Sequence, residues 1–429
     1  MNSLPLTAAE ETREPPATSH PFYRVLVQRA LSKMTHGRLH IEWPDGSIQT
    51  YGDGTLAPAA TMRVRRSDFF RKCALFGGIG LGEAYVDGDW ETDDIRAVLE
   101  WFILNIAHNE QMQGSSQRIP GVGLLKFINR VGHLLRPNSL STSRRNISEH
   151  YDLGNDFYKL WLDPTMTYSA ARFTHAEQSL EGAQLSKYEA LCQKLNLKAT
   201  DHVLEIGCGW GGFSIYAARK YGCKITGITI SQAQYDEATQ RVSDAGLTDR
   251  IDIQLVDYRK VEGQFDKIAS IEMLEAVGDK YLETYFGQCT KLLKPGGMLA
   301  FQVITVPDYS YEDLKRGTDW IQKHIFPGSL LLSVSRINEA IRKVGRLFLH
   351  GMEDMGSGYS RTLREWHVNF NAKLDEVRKL GYDERFIRKW NYYLKYCEAA
   401  FASRNISVIQ AVYTKPWNLA LHREDGVSS

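Results

Sequence analysis

The stretch Leu204-Glu-Ile-Gly-Cys-Gly-Trp-Gly-Gly212 decides the fold. Val203-Leu-Glu-Ile206 is a short apolar run with strand character, and it feeds directly into glycines. Glycines there permit a tight turn and let backbone N–H groups approach a ligand. Working outward, Phe213 to Lys220 has helix character, Cys223 to Ile230 reads as a second strand and Gln232 to Ala245 as a second helix. A third strand is expected over Ile251–Val256, a fourth over Phe265–Ile271, and a fifth over Gly297–Val306 after the turn Lys294-Pro-Gly-Gly297. Strands near Arg346–Glu353 and Val408–Tyr413 complete the set, while 361–400 is helical and aromatic. Strands spaced by helical crossovers specify an α/β protein with a doubly wound parallel sheet.

Gly207, Gly209 and Gly212 fit G-x-G-x-x-G, but a dinucleotide site also needs an acid at the end of the second strand to hold the ribose. That strand ends near Thr229, and the acid lies inside the motif instead, at Glu205. With Asp257 after the third strand and the KPGG turn before the fifth, the set resembles the S-adenosylmethionine-dependent methyltransferases of the doubly wound class, Rossmann-like and class I. Their co-substrate is a sulfonium whose methyl carbon is an electrophile. A protein must hold it still, surround the cation with acceptors and keep water away. The glycine turn would approach its carboxypropyl tail, and Asp257 would accept from the adenine amine.

The rest of the chain sets limits. Lys and Arg number 52 against 51 Asp and Glu, which excludes a surface tuned as a whole to nucleic acid. Cys73, Cys192, Cys208, Cys223, Cys289 and Cys397 are scattered, with no CxxC and no zinc-like spacing, so no metal site is expected. They read as buried thiols of a reducing compartment, with Cys208 a packing residue rather than a nucleophile. The N-terminus has no secretory pattern and no apolar run reaches 18 residues, so a cytoplasmic location is expected. Residues 1–19 read as a disordered leader, 20–108 as a small N-terminal α+β domain and 146–429 as the catalytic domain. Between them, 109–145 hold a linker and a basic amphipathic helix, with Leu124, Leu125, Ile128, Val131, Leu134 and Leu135 on one face and Lys126, Arg130 and Arg136 around it. Such a helix serves either as an interdomain strut or as a contact with the membrane interface.

Three further segments narrow the reading: Ile147-Ser-Glu-His-Tyr-Asp-Leu-Gly-Asn-Asp-Phe-Tyr-Lys-Leu-Trp-Leu-Asp163, Thr165-Met-Thr-Tyr-Ser-Ala-Ala-Arg-Phe173 and Ser270-Ile-Glu-Met-Leu-Glu-Ala-Val-Gly278. With Gly227-Ile-Thr-Ile-Ser-Gln232 and Ile325-Phe-Pro-Gly328, they make residues 146 to 415 resemble the cyclopropane-fatty-acyl-phospholipid synthase family. The N-terminal domain resembles the extension of the bacterial lipid-modifying members. The resemblance implies that the alkene of an unsaturated phospholipid acyl chain attacks the sulfonium methyl, and that loss of a proton from the added carbon closes a cyclopropane.

In that family the proton acceptor is a bound bicarbonate, held by a loop backbone, a Glu, a His or its replacement, and a Tyr. The corresponding positions here are Ala170 (commonly Cys), Glu275, Gln302 (as in plant-type members), Ile304 and Tyr359. For the co-substrate the resemblance implies Tyr168, Ser169, Gly207, Gly209, Thr229, Gln234 and Asp257, with Thr229 and Gln234 standing in for the ribose acid. Glu275 also reads as a helix-start acid, and Tyr359 as a core tyrosine. The Ala170 and Gln302 departures motivate an alternative product, a methyl- or methylene-branched chain. A small-molecule N- or O-methyltransferase is the more distant alternative. The implied partner is a lipid reached by peripheral contact at the inner membrane face, and a homodimer is left open.

Overall fold

The structure, a computed structural model, describes residues 21–108, 153–418 and 421. The segment 124–136 and the start of the 147–163 stretch, residues 147–152, lie outside the described residues.

Two sheets form. The smaller has the order β2-β1-β3-β4, from β1 (Arg38–Glu42), β2 (Ile48–Tyr51), β3 (Ala59–Val64) and β4 (Trp90–Glu91). The turn at Pro44-Asp-Gly46 joins β1 to antiparallel β2, and Gly46 takes the positive φ of +79° that such a turn favours. The expected helix near 95–106 runs Ile95–Ala107, started by the Asp94 side chain accepting from the Ala97 N–H. This unit packs on the helix Glu384–Ala402, where Arg96 pairs with buried Glu398 at 3.1 Å and Arg388 donates to the Tyr85 carbonyl at 2.7 Å.

The larger sheet has seven strands, β5 (His202–Ile206), β6 (Lys224–Thr229), β7 (Ile251–Leu255), β8 (Phe265–Ile271), β9 (Leu293–Thr305), β10 (Phe348–Asp354) and β11 (Ser407–Thr414). Their order is β10-β11-β9-β8-β5-β6-β7, parallel from β9 through β7, with β11 and β10 antiparallel at one edge. The strands at the centre are near-continuous apolar runs because helices cover both faces. The fold is the doubly wound class I methyltransferase sheet that the sequence implied. One boundary differs: the Lys294–Gly297 turn lies inside β9 rather than before it. Leu293 already pairs with Phe265, and the next pair is Lys267 with Met298, so the turn bulges out between two rungs of one ladder.

The 361–400 segment is three helices, Gly356–Asn371, Leu374–Lys379 and Glu384–Ala402. Their aromatic residues Trp366, Trp390, Tyr392 and Tyr393 are buried with Phe157 and Trp161 in one core cluster. Among the described residues, no helix is long and apolar enough to cross a membrane.

Candidate active site

In open α/β sheets ligands bind beyond the carboxyl ends of the strands, where the strand order reverses. Here the reversal lies between β5 and β8. The glycine turn after β5 carries Gly207 at φ +81° and Gly209 at φ +53°. The N–H groups of Gly207 and Cys208 both donate to the Ile228 carbonyl, at 3.0 and 2.9 Å, which fixes the turn to β6. Residue 207 faces the end of β8: a Cβ there would stand 2.9 Å from Met273 Cγ. Cys208 is buried, and burial holds its thiol well above the ordinary range, as a packing residue requires.

The positions expected to hold the co-substrate follow. Glu205 is buried beside Gly227 and Ala269 in the ladder and accepts from Ser214 Oγ. Burial pushes its carboxyl up to about 8, against the pull of Ser214 and Lys187. Thr229 Oγ1 donates to Gln234 Oε1 at 2.9 Å, so those two are brought together at the end of β6. Asp257 is engaged by Arg259 through Nε at 2.8 Å and Nη2 at 2.6 Å. Burial raises that carboxyl, but the guanidinium and N–H of Arg259 outweigh it and leave it below the usual range. Oδ1 also accepts the Arg259 backbone N–H at 3.0 Å, so Oδ2 is the oxygen that keeps further acceptor capacity. Ser169 Oγ accepts from the buried Lys187 Nζ at 2.6 Å. The Tyr168 ring stands 5.4 Å from Tyr158 and Trp161 and 5.2 Å from Trp366, and its Oη is 2.7 Å from Tyr393 Oη. These residues fit a sulfonium nucleoside: a turn with glycine at 207 and 209, buried acceptors and electron-rich ring faces.

The positions assigned to proton transfer also meet, around a residue that sequence reasoning missed. Glu272 follows β8 directly, with a left-handed φ of +48° that is unusual for a side-chain-bearing residue. Its Oε1 accepts the Ala170 N–H at 2.8 Å and Gln302 Nε2 at 2.7 Å, and its Oε2 accepts from Tyr359 Oη at 2.8 Å. Glu275 lies beside it. Its Oε1 accepts the Ile304 N–H at 2.6 Å, while its buried Oε2 has no partner. Tyr359 is a core tyrosine, yet its hydroxyl points inward and is committed to a carboxylate. Ala170 takes part through its backbone N–H, and Ile304 likewise.

Burial raises both carboxyls, and the Glu272 charge pushes Glu275 further. Glu275 moves up to about 8. Glu272 is also raised by burial, but three donors and the nearby Lys187 favour its ionised form, where Glu275 has one donor. Of the two, Glu272 is the better placed to carry a negative charge, and Glu275 to keep a proton.

A bicarbonate does not fit this arrangement. The three donors that would hold it, at Ala170, Gln302 and Tyr359, converge on the Glu272 carboxylate. A second anion there would lack donors and face Glu272 at short range. The signal in the sequence was the first acid of Ser270-Ile-Glu-Met-Leu-Glu275, three residues before the one singled out.

Comparisons with known proteins show the family. Residues 138–411 match the family described as mycolic acid cyclopropane synthetase. The chain is 37% identical over 377 residues to a tuberculostearic acid methyltransferase of Mycobacterium tuberculosis, covering 84% of this chain and 86% of that one. It is 36% identical over 358 residues to the cyclopropane-fatty-acyl-phospholipid synthase of Escherichia coli, covering 83% and 88%. The crystal structure of a mycolic acid cyclopropane synthase complexed with SAH and CTAB superposes with a TM-score of 0.59 at 27% identity, covering 63% of this chain and 98% of that one. The chain belongs to the mycolic acid cyclopropane synthetase family and takes S-adenosylmethionine as its co-substrate.

Proposed function

We propose that the protein transfers the methyl carbon of S-adenosylmethionine to the double bond of an unsaturated phospholipid acyl chain, and that the product is a cyclopropane. The observation that carries this reading is the buried carboxyl pair Glu272–Glu275, set between the glycine turn and a wall of aromatic rings.

An alkene needs no base to attack a sulfonium. Its π pair forms the new C–C bond, the C–S bond breaks with its pair on sulfur, and a carbocation remains on the chain. Aromatic faces stabilise such a cation, and Tyr168, Tyr359, Trp366 and Phe401 supply them, with Tyr359 and Phe401 4.4 Å apart. Water must be kept out, and the burial of Tyr359, Trp366 and Phe401 serves that end. A carboxylate in place before the cation forms takes a proton from the added carbon at once. The C–H pair then closes the ring before a hydride can shift along the chain.

The similarity to a tuberculostearic acid methyltransferase supports a second reading, in which the hydride shift wins and a methylene branch results. Both readings require a bilayer-embedded substrate and so a peripheral contact with the membrane. Incubation with methyl-labelled S-adenosylmethionine and unsaturated phospholipid vesicles, followed by proton NMR of the lipid, tests them. Cyclopropane protons far upfield are expected. Vinylic methylene signals would select the second reading, and a labelled soluble amine or alcohol with unlabelled lipid would reject both.

A further inference from the structure

Glu272 also stands at the end of a directional chain of polar groups. In the antiparallel register Gln302 lies opposite Gln410, and Gln410 Nε2 donates to Gln302 Oε1 at 3.1 Å. Gln410 Oε1 in turn accepts from Lys194 Nζ, which closes the helix Leu180–Lys194 and pairs with Glu353. An ammonium can only donate. It therefore fixes the Gln410 amide with its oxygen toward Lys194 and its NH2 toward Gln302. That in turn fixes Gln302 with its oxygen toward Gln410 and its NH2 toward Glu272. Both amides are buried, so neither can turn over without leaving a donor facing a donor.

We propose that the Glu272 carboxylate is itself the proton acceptor of carbon transfer, in the place where the resemblance puts a bicarbonate, and that Lys194 acts through Gln410 as the positioning residue that holds the Gln302 amide as a donor to it. The proposal rests on the reading above that the added carbon loses a proton. In that step the C–H bond breaks, its electron pair forms the ring-closing C–C bond, and the proton goes to a Glu272 oxygen, giving a neutral acid. The proton passes to solvent when the product leaves. No co-reactant beyond the lipid and S-adenosylmethionine is consumed.

Three measurements on the full chain test this. Wild-type protein stripped of carbon dioxide under argon is expected to turn over unsaturated phospholipid vesicles within twofold of its rate in about 10 mM bicarbonate, a base-catalysed step being sensitive by a factor of about 100 or more to loss of its base. A tenfold loss on stripping, restored by bicarbonate, overturns the proposal. Secondly, Glu272→Gly opens the cradle. The ¹³C line of labelled bicarbonate is expected to broaden with this variant and not with wild type, whether or not lipid is present. Broadening with wild type overturns the assignment, and this readout is independent of whether the lipid product forms. The rate of Glu272→Gly is expected to fall about 100-fold or more and to recover in part with bicarbonate. A rate unchanged in stripped buffer overturns the role of Glu272. Thirdly, Lys194→Arg is expected to stay within about threefold of wild type, whereas Lys194→Met lowers kcat about tenfold and moves the acid limb of the pH–rate profile upward, with affinity for S-adenosylmethionine unchanged. A Met variant with the wild-type kcat and pH profile overturns the positioning role. Absence of labelled lipid from wild type in every buffer would instead refute the proposed function, leaving the bicarbonate-binding result to judge Glu272.

Discussion

The carboxyl of Glu275 accepts the backbone N–H of Ile304 at 2.6 Å with one oxygen and leaves the other buried without a partner. Such a group pays for its ionisation in lost hydration, and its carboxyl moves up to about 8 from an ordinary 4.5. Between those values the folded protein keeps a proton that the unfolded chain has released. By linkage, stability conferred by the protonated acid is present below about 4.5 and is lost as pH rises toward 8. Glu275→Gln has no charge to bury. Its melting temperature is therefore expected to gain on wild type across this window, by about 2 °C or more at pH 8. Thermal unfolding at pH 5, 6.5 and 8 checks it, and a pH-independent difference would show that Glu275 is ionised throughout.

Gly207→Ala tests the turn. Residue 207 sits at φ +81°, and a Cβ would meet Met273 Cγ at 2.9 Å. Left-handed backbone on a residue with a side chain costs on the order of 1–3 kcal/mol. Relief requires the turn or the Met273 side chain to shift. Titration calorimetry is expected to show S-adenosylmethionine affinity reduced about tenfold or more, each 1.4 kcal/mol being a factor of about ten. Wild-type affinity would mean that the ligand does not lie against this turn.

The sheet was legible because its strands are short runs rich in Ile, Val and Leu separated by helical stretches, and the glycines after β5 mark the reversal of strand order. The site was legible only where one residue type signals one chemistry. Glu275 stood out because it lies within a segment with a family likeness, and Tyr359 because the same resemblance implies it. Glu272 did not, since a second acid beside a functional one reads as solvated until the fold buries it. Its role comes from long-range partners, Ala170 from 102 residues away and Tyr359 from 87. Lys194, Gln410 and Lys187 were invisible for the same reason: a lysine in a helix reads as surface, and only the packed helix Leu180–Lys194 turns Lys187 inward.

Tyr168 separates ring from hydroxyl. Its Oη pairs with Tyr393 Oη at 2.7 Å, while its face belongs to the aromatic wall. Tyr168→Phe keeps the face and loses one neutral hydrogen bond, a net of about 1 kcal/mol. Turnover is expected within about fivefold of wild type. Tyr168→Leu removes the face and with it a cation–π contribution of roughly 2 kcal/mol in a desolvated site, for a loss of at least tenfold in kcat. Steady-state rates on lipid vesicles decide, and equal effects of the two changes would assign Tyr168 to packing alone.

Lys187 supplies the last test, because its charge acts on Glu272. Burial pulls its ammonium down to about 7, although Glu272, Asp163 and Glu205 hold it up. Below that pH it is a cation near the Glu272 carboxylate, and a neighbouring cation lowers a carboxyl pKa. Turnover that needs ionised Glu272 rises with pH along an acid limb. In Lys187→Met the cation is gone, Glu272 gains its charge at higher pH, and the limb is expected to move upward by about one unit. Above pH 7 the wild-type lysine is itself losing its proton, so the two profiles should converge there. A limb that stays in place, in a variant that unfolds at the same temperature as wild type, would mean that Lys187 serves only to hold the Ser169 hydroxyl.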